Sequence, residues 1–248
     1  MIESKQNKTI KEWKKLHKKK YRDEQGKFLV EGWHLIEEVT KSDWQVDKLI
    51  IHEYEKLPEK WKHYDYVEVS AEVFNELSST ETPQGIMAVV NQKHEQFGQS
   101  LNKVLLIDAV QDPGNVGTII RSALAFNLDA VVLGKGTVDL YHEKVIRATQ
   151  GALFHLPVLR GDLDNWMGKL NELDIPILGT ALDEKARPLN EIATKRFAVL
   201  VGNEGKGVSS DLLKQVDDTI YITIHKDSES LNVGVATSIV LYHLTHLT

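Results

Sequence analysis

Three runs of consecutive apolar residues constrain the fold most: 104–107 (VLLI), 130–133 (AVVL) and 198–201 (AVLV). None alternates apolar with polar positions, so none has a face meant for water. Runs of this kind suit strands covered on both faces, as in a parallel sheet. From residue 103 onward elements are expected at 103–110, 115–126, 129–133, 143–150, 155–159, 162–173, 175–180, 197–202, 209–215, 219–224 and 232–247. Strand alternating with helix predicts an α/β, doubly wound architecture, in which ligands bind beyond the C-terminal ends of the strands.

The N-terminal part reads as a separate, smaller α/β domain. Ile10, Trp13 and Leu16 recur every third residue among lysines, which predicts a basic helix over 8–20. Asp23-Glu24-Gln25-Gly26 reads as a turn, followed by a strand at 27–30 and a helix through Leu35, Ile36 and Val39. Further strands are expected at 47–52, 66–69 and 85–90, and a short helix at 71–77. Residues 92–102 are polar and aperiodic and read as a linker. The expected division is therefore 1–91 as a small α/β domain, 92–102 as linker and 103–248 as a second, larger α/β domain. No internal repeat or low-complexity tract is evident.

Composition narrows the chemistry. The chain has no cysteine, which removes disulfides, thiolate metal sites and every cysteine-nucleophile mechanism. Methylation at pyrimidine C5 through a cysteine adduct is among the routes removed. No apolar run approaches the roughly 20 residues of a membrane span, and Met1-Ile2-Glu3-Ser4-Lys5 is too polar for a signal peptide. A cytoplasmic protein is expected. The net charge of −6 hides an asymmetry: residues 1–22 hold nine Lys/Arg and two Glu, a net of +7, so the remainder carries −13. A basic arm on an acidic body fits phosphate contact through one element, although a solvated lysine-rich helix explains it equally well.

Three loops carry the chemistry. DPGNVGTIIRSALAF (112–126) follows the first apolar run. Pro113-Gly114 turns the chain and Asn115 is placed to cap the next helix. Gly117 leaves bare backbone where a ligand can approach, and Arg121 should lie over the Gly117–Thr118 surface. An arginine near a helix N-terminus suits a phosphate. VGNEGKGVSS (201–210) places Gly202, Gly205 and Gly207 within six residues, which allows exposed amides and positive φ. It matches neither the phosphate loop nor the dinucleotide fingerprint. Gly134-Lys135-Gly136 has similar composition and reads as a plain turn. SLNVGVATSIVLY (230–242) brings Ser230 and Asn232 to a helix entrance, where either could be the cap. The helix that follows is expected to bury Val233, Ala236, Ile239, Val240 and Leu244. Each loop alone is also explained by turn formation, packing and capping; three together at strand ends are harder to explain so.

In this order and spacing the three segments resemble the signature motifs of the SpoU–TrmH family, RNA ribose 2′-O-methyltransferases. KYRDEQGKFLVEG (20–32) and TPQGIMAVV (82–90) likewise resemble the small substrate-binding domain of members that act on ribosomal RNA. The resemblance covers nearly the whole chain. It implies a trefoil knot, S-adenosylmethionine as methyl donor held largely by backbone, and a homodimer with the active site close to the interface. By matching positions, the donor contacts are expected to include Gly179, Thr180, Gly202, Asn203, Gly205, Ile222 and Leu231. Arg121 matches the residue assigned to the ribose 2′-hydroxyl and proposed as general base. A free guanidinium rarely loses its proton in a protein, so orientation of the hydroxyl and adjacent phosphate is the alternative role. Asn115, Glu204, Ser230 and Asn232 match other active-site positions, with Asn115 and Asn232 expected to orient Arg121 and the ribose. Asn203 stands where many relatives carry serine. No metal is implied; His52, His63, His142, His155 and His225 lack ligand spacing.

The reading expected from all this is RNA ribose 2′-O-methylation, with ribosomal RNA as substrate. The alternatives are transfer RNA ribose methylation, base methylation, a non-catalytic RNA-binding assembly factor, and, weakest, a nucleotide-binding oxidoreductase.

Overall fold

The computed structural model describes residues 1–93, 101–182 and 185–246. Along the chain run α1 (Lys8–Lys15), α2 (Lys19–Gln25), β1 (Lys27–Glu31), α3 (Trp33–Thr40), β2 (Val46–His52), β3 (Tyr66–Val69), α4 (Ala71–Leu77) and β4 (Ile86–Asn91). Then follow β5 (Lys103–Ile107), α5 (Pro113–Ala125), β6 (Ala130–Leu133), α6 (Glu143–Thr149), β7 (Val158–Arg160), α7 (Leu163–Glu172) and β8 (Ile177–Thr180). The chain ends with β9 (Arg187–Pro188), β10 (Phe197–Val201), α8 (Ser210–Leu213), β11 (Asp218–Tyr221) and α9 (Val233–Thr245). The expected linker falls mostly on residues 94–100, outside the described residues.

Two units form. The first comprises Met1–His94 with Asp139–Phe154. Its four strands are ordered β1-β4-β2-β3, with β4 antiparallel to both neighbours and β3 parallel to β2. Ile10, Trp13 and Leu16 pack with Val73, Phe74 and Leu77 of α4 onto the sheet.

The basic helix expected over 8–20 is two helices, and the expected turn at 23–26 is the end of the second. The cause lies at Arg22, whose guanidinium donates to the carbonyls of Leu16 and His17, both at 2.8 Å. Those oxygens are drawn out of the helical ladder, and α1 stops. Gly26, with φ 61°, closes α2 in the left-handed region. Much of the arm's charge is also matched locally. Lys5, Lys14, Lys15, Lys19 and Lys20 pair with Glu72, Glu76, Glu12, Asp23 and Glu24.

Asp139–Phe154, placed by its sequence in the second domain, clusters with the first unit instead. Arg22 donates to Asp139 at 2.6 Å with side chains only 3% and 9% exposed. Tyr141 stacks on Phe28 with ring centroids 4.5 Å apart.

The second unit comprises Glu95–Val138 and His155–Thr248. Its sheet has seven strands in the order β7-β6-β5-β10-β8-β11-β9, all parallel. Every residue of β6 and β10 is buried, as continuous apolar runs require. The chain leaves β5 toward β6 and β7 on one side and later builds β10, β8 and β11 on the other. Strand order therefore reverses between β5 and β10, and ligands in open α/β sheets bind at such a switch point.

Candidate active site

Loops from both sides of the switch point meet at the C-terminal edge of the sheet. Asp112 caps α5: its Oδ1 accepts from the Asn115 N–H at 2.8 Å, with Pro113 in the first turn. This corrects the expectation that Asn115 is the cap. An Asp followed by Pro is a strong helix-start pair, so the signal was present in the sequence. With its backbone satisfied by Asp112, Asn115 keeps its side chain for other partners.

Those partners come from the other two loops. Asn115 Nδ2 donates to Glu204 Oε1 at 3.0 Å, and Asn232 Nδ2 donates to Asn115 Oδ1 at 2.8 Å. Asn232 Oδ1 in turn accepts from the N–H groups of Gly234 and Val235 at 2.9 and 3.2 Å, which makes Asn232 the cap of α9. The chain of bonds has one direction. A helix N-terminus offers only donors and a carboxylate only acceptors, so both intervening amides have a single consistent orientation.

Glu204 also accepts from the backbone N–H groups of Gln111 and Asp112 and from Asn203 Nδ2. Partial burial pushes its carboxyl pKa up, but the Asn115 amide and the N–H groups of Glu204, Asp112 and Gln111 outweigh that, and the net direction is down. Asn203 joins the loops a second time, its Nδ2 donating to the carbonyl of Ala109 at 2.9 Å. Ala109 itself sits at φ 55°, in the left-handed region.

The loop after β10 closes on itself. Asn203 and Gly207 exchange backbone hydrogen bonds of 3.0 and 2.9 Å, and Asn203 Oδ1 accepts from Gly205 and Lys206 N–H. A Cβ on Gly202 would lie 2.1 Å from backbone atoms of Gly207 and Val208. Only glycine permits this closure.

Beside the network lies a cavity of about 530 Å³, within the range of small-molecule sites. Thr180, Gly202, Asn203, Gly205, Ile222 and Leu231 all line it, as do Glu204, Ser230 and Asn232. Gly179 does not: a Cβ there would press on Leu213 and Val216, so it serves strand packing. Asn115 reaches the site through its hydrogen bonds. Arg121 lies on the exposed face of α5, outside the cavity wall, and makes no hydrogen bond or ion pair among the described residues. Gly117 is buried within α5 rather than open to a ligand. Sequence reasoning did not single out Gln111, Asp112, Ala181 or Tyr221; the last two line the cavity because of loop paths that local patterns do not encode.

Val235, Ile239 and Tyr242 are 48%, 39% and 58% exposed along one side of α9, so the expected burial of Ile239 is corrected. Among the described residues no cluster of three or more His, Cys, Asp or Glu could hold a metal ion. No described helix is long and apolar enough to cross a membrane.

Comparison with known proteins agrees with this architecture. The SpoU rRNA Methylase family matches residues 102–242, and the MRM3-like substrate binding domain matches residues 7–88. The chain is 44% identical to the 23S rRNA (guanosine(2553)-2′-O)-methyltransferase RlmP of Bacillus subtilis over 245 residues, 98% of either chain. It is similar to an AdoMet-bound rRNA methyltransferase structure from Sinorhizobium meliloti, with TM-score 0.88, 25% identity and coverage of 98% and 95% of the two chains. It is also similar to the SpoU methyltransferase AviRb of Streptomyces viridochromogenes in complex with the cofactor AdoMet, with TM-score 0.86, 25% identity and coverage of 97% of each. With the matched regions covering both sheets, and the three loops joined by one chain of hydrogen bonds beside the cavity, this chain belongs to the SpoU rRNA methylase family.

Proposed function

We propose that this protein transfers a methyl group from S-adenosylmethionine to a ribose 2′-hydroxyl of 23S ribosomal RNA, at the guanosine that corresponds to the target of its Bacillus subtilis relative. The observation that carries this reading is the Glu204–Asn115–Asn232 chain of hydrogen bonds beside the cavity. It ties one loop from each side of the switch point to the N-terminus of α9.

The cavity suits the donor. Ile222, Leu231 and Val233 supply apolar wall for an adenine ring and alkyl arm, and the closed glycine loop lets backbone groups reach the polar edges. When bound there, S-adenosylmethionine supplies an electrophilic methyl carbon on a positively charged sulfur. The residues supply position. Asn115 and Asn232 have fixed amide orientations and hold the ribose side of the site. Arg121 contacts the 2′-oxygen and adjacent phosphate as an electrostatic anchor, and the hydroxyl proton passes to water late in the transfer, as the oxygen–methyl bond forms and the sulfur–methyl bond breaks. In-line displacement needs reacting atoms about 3 Å apart, so positioning supplies much of the rate.

The first unit is read as the RNA-binding domain. Among the described residues five arm lysines are paired, which leaves Lys8, Lys11 and Lys18 to face phosphates; the surface pairs are weak enough to exchange partners. A homodimer is read from the apolar side of α9. α9 packs on α5, with Ser122 Oγ and Ser238 Oγ 2.7 Å apart, so an interface there lies beside the helix that carries Arg121. Ile239→Glu is expected to leave a monomer in sedimentation at concentrations where the parent is dimeric. The trefoil crossing is read from β11, which sits between β8 and β9, two strands made earlier in the chain.

The deciding experiment maps ribose methylation in total RNA from cells with and without this gene. Loss of one 23S guanosine methylation is expected. Loss confined to transfer RNA overturns the substrate, and no change in any RNA turns the protein into a non-catalytic binder.

A further inference from the structure

We infer that Lys206 holds the carboxylate of the methyl donor's amino-acid end, an assignment that rests on reading the cavity as the S-adenosylmethionine site. Two side chains of the described cavity wall are ionised at neutral pH, Glu204 and Lys206. The Glu204 carboxylate is already engaged by donors from Gln111, Asp112, Asn115 and Asn203. Among the described residues the Lys206 ammonium group makes no hydrogen bond or ion pair; only its backbone N–H is engaged.

Its backbone, in contrast, is tightly set. The Asn203–Gly207 backbone pair closes the loop, and Asn203 Oδ1 receives the Lys206 N–H at 3.2 Å. A fixed root with a flexible four-carbon stem delivers a point charge over a short range of positions. The donor carries three charged groups: sulfonium, ammonium and carboxylate. The carboxylate is its single anion, and moving it from water into a largely apolar cavity without a cation is costly. Among the described residues of the wall, Lys206 is the one whose charge matches it.

The test measures binding, not turnover. Calorimetry gives the affinity of the intact protein and of Lys206→Met for S-adenosylmethionine and for decarboxylated S-adenosylmethionine, which lacks only the carboxylate. The parent should prefer the carboxylated compound by about tenfold, the scale of one charged hydrogen bond. Lys206→Met should lose that preference by weakening S-adenosylmethionine alone, and Lys206→Arg should restore most of it. The residue sits at an exposed loop tip, so unchanged thermal unfolding is the control for folding. Parent-like affinities for both compounds in Lys206→Met overturn the assignment while leaving the donor site intact. Unchanged donor affinity with weaker binding of a fluorescein-labelled RNA oligonucleotide also overturns it and gives the lysine to an RNA phosphate. Failure of the parent to bind either compound overturns the donor site itself.

Discussion

At the scale of single residues the site is an arrangement of hydrogen bonds whose polarity is fixed at both ends. Glu204 must be ionised to accept from Asn115, Gln111 and Asp112 together. Its folded pKa lies below the ordinary 4.5, so the stabilisation is present above that value and is lost as pH falls through the depressed one. Donor affinity measured against pH should therefore hold across the range in which a free glutamate titrates and fall only below it. Glu204→Gln should weaken donor binding by about tenfold at neutral pH, since it sets an amide donor against existing donors. Arg121 is outside the cavity wall and unengaged among the described residues. Arg121→Ala should thus leave unfolding temperature and donor affinity unchanged and lower single-turnover methylation by about a hundredfold or more. Asn115, Glu204 and Asn232, which the structure joins by hydrogen bonds, were legible as motif positions. Their division of labour was not, because it depends on which amide faces which carboxylate across 89 and 117 residues of chain.

At the scale of elements, glycine positions separate fold from function. Gly202 closes the loop after β10 against its own backbone. Gly202→Ala should open that loop and abolish donor binding in calorimetry. Gly168 in α7 is the contrast: it is exposed, and a Cβ there meets nothing within 4 Å. Gly168→Ala should raise stability by up to about 1 kcal/mol, read as a higher unfolding temperature with donor binding intact. Strands were read well where burial covers both faces, as at β5, β6 and β10. The N-terminal helix was read poorly, because the break between α1 and α2 is enforced by Arg22, whose role depends on a partner, Asp139, far along the chain.

At the scale of the whole molecule, that same pair decides where a segment belongs. Residues 139–154 lie between β6 and β7 in sequence yet cluster with the first unit, with Arg22 and Asp139 almost fully buried against each other. Removing one partner leaves the other charged and buried, so Arg22→Ala should cost about 3–5 kcal/mol in urea unfolding. Arg22→Lys should recover only part, because one ammonium cannot serve two carbonyls and a carboxylate in that fork. Local pattern determined the α/β class, the parallel sheet, the three loops and the family, because burial on both faces, helix capping and loop closure act between near neighbours. Tertiary structure alone decided the strand order, the attachment of 139–154, the orientation of the Asn115 and Asn232 amides and the exposed side of α9. Those features are set by side chains that meet only after folding, and their interaction energy depends on distance in space rather than on separation along the chain.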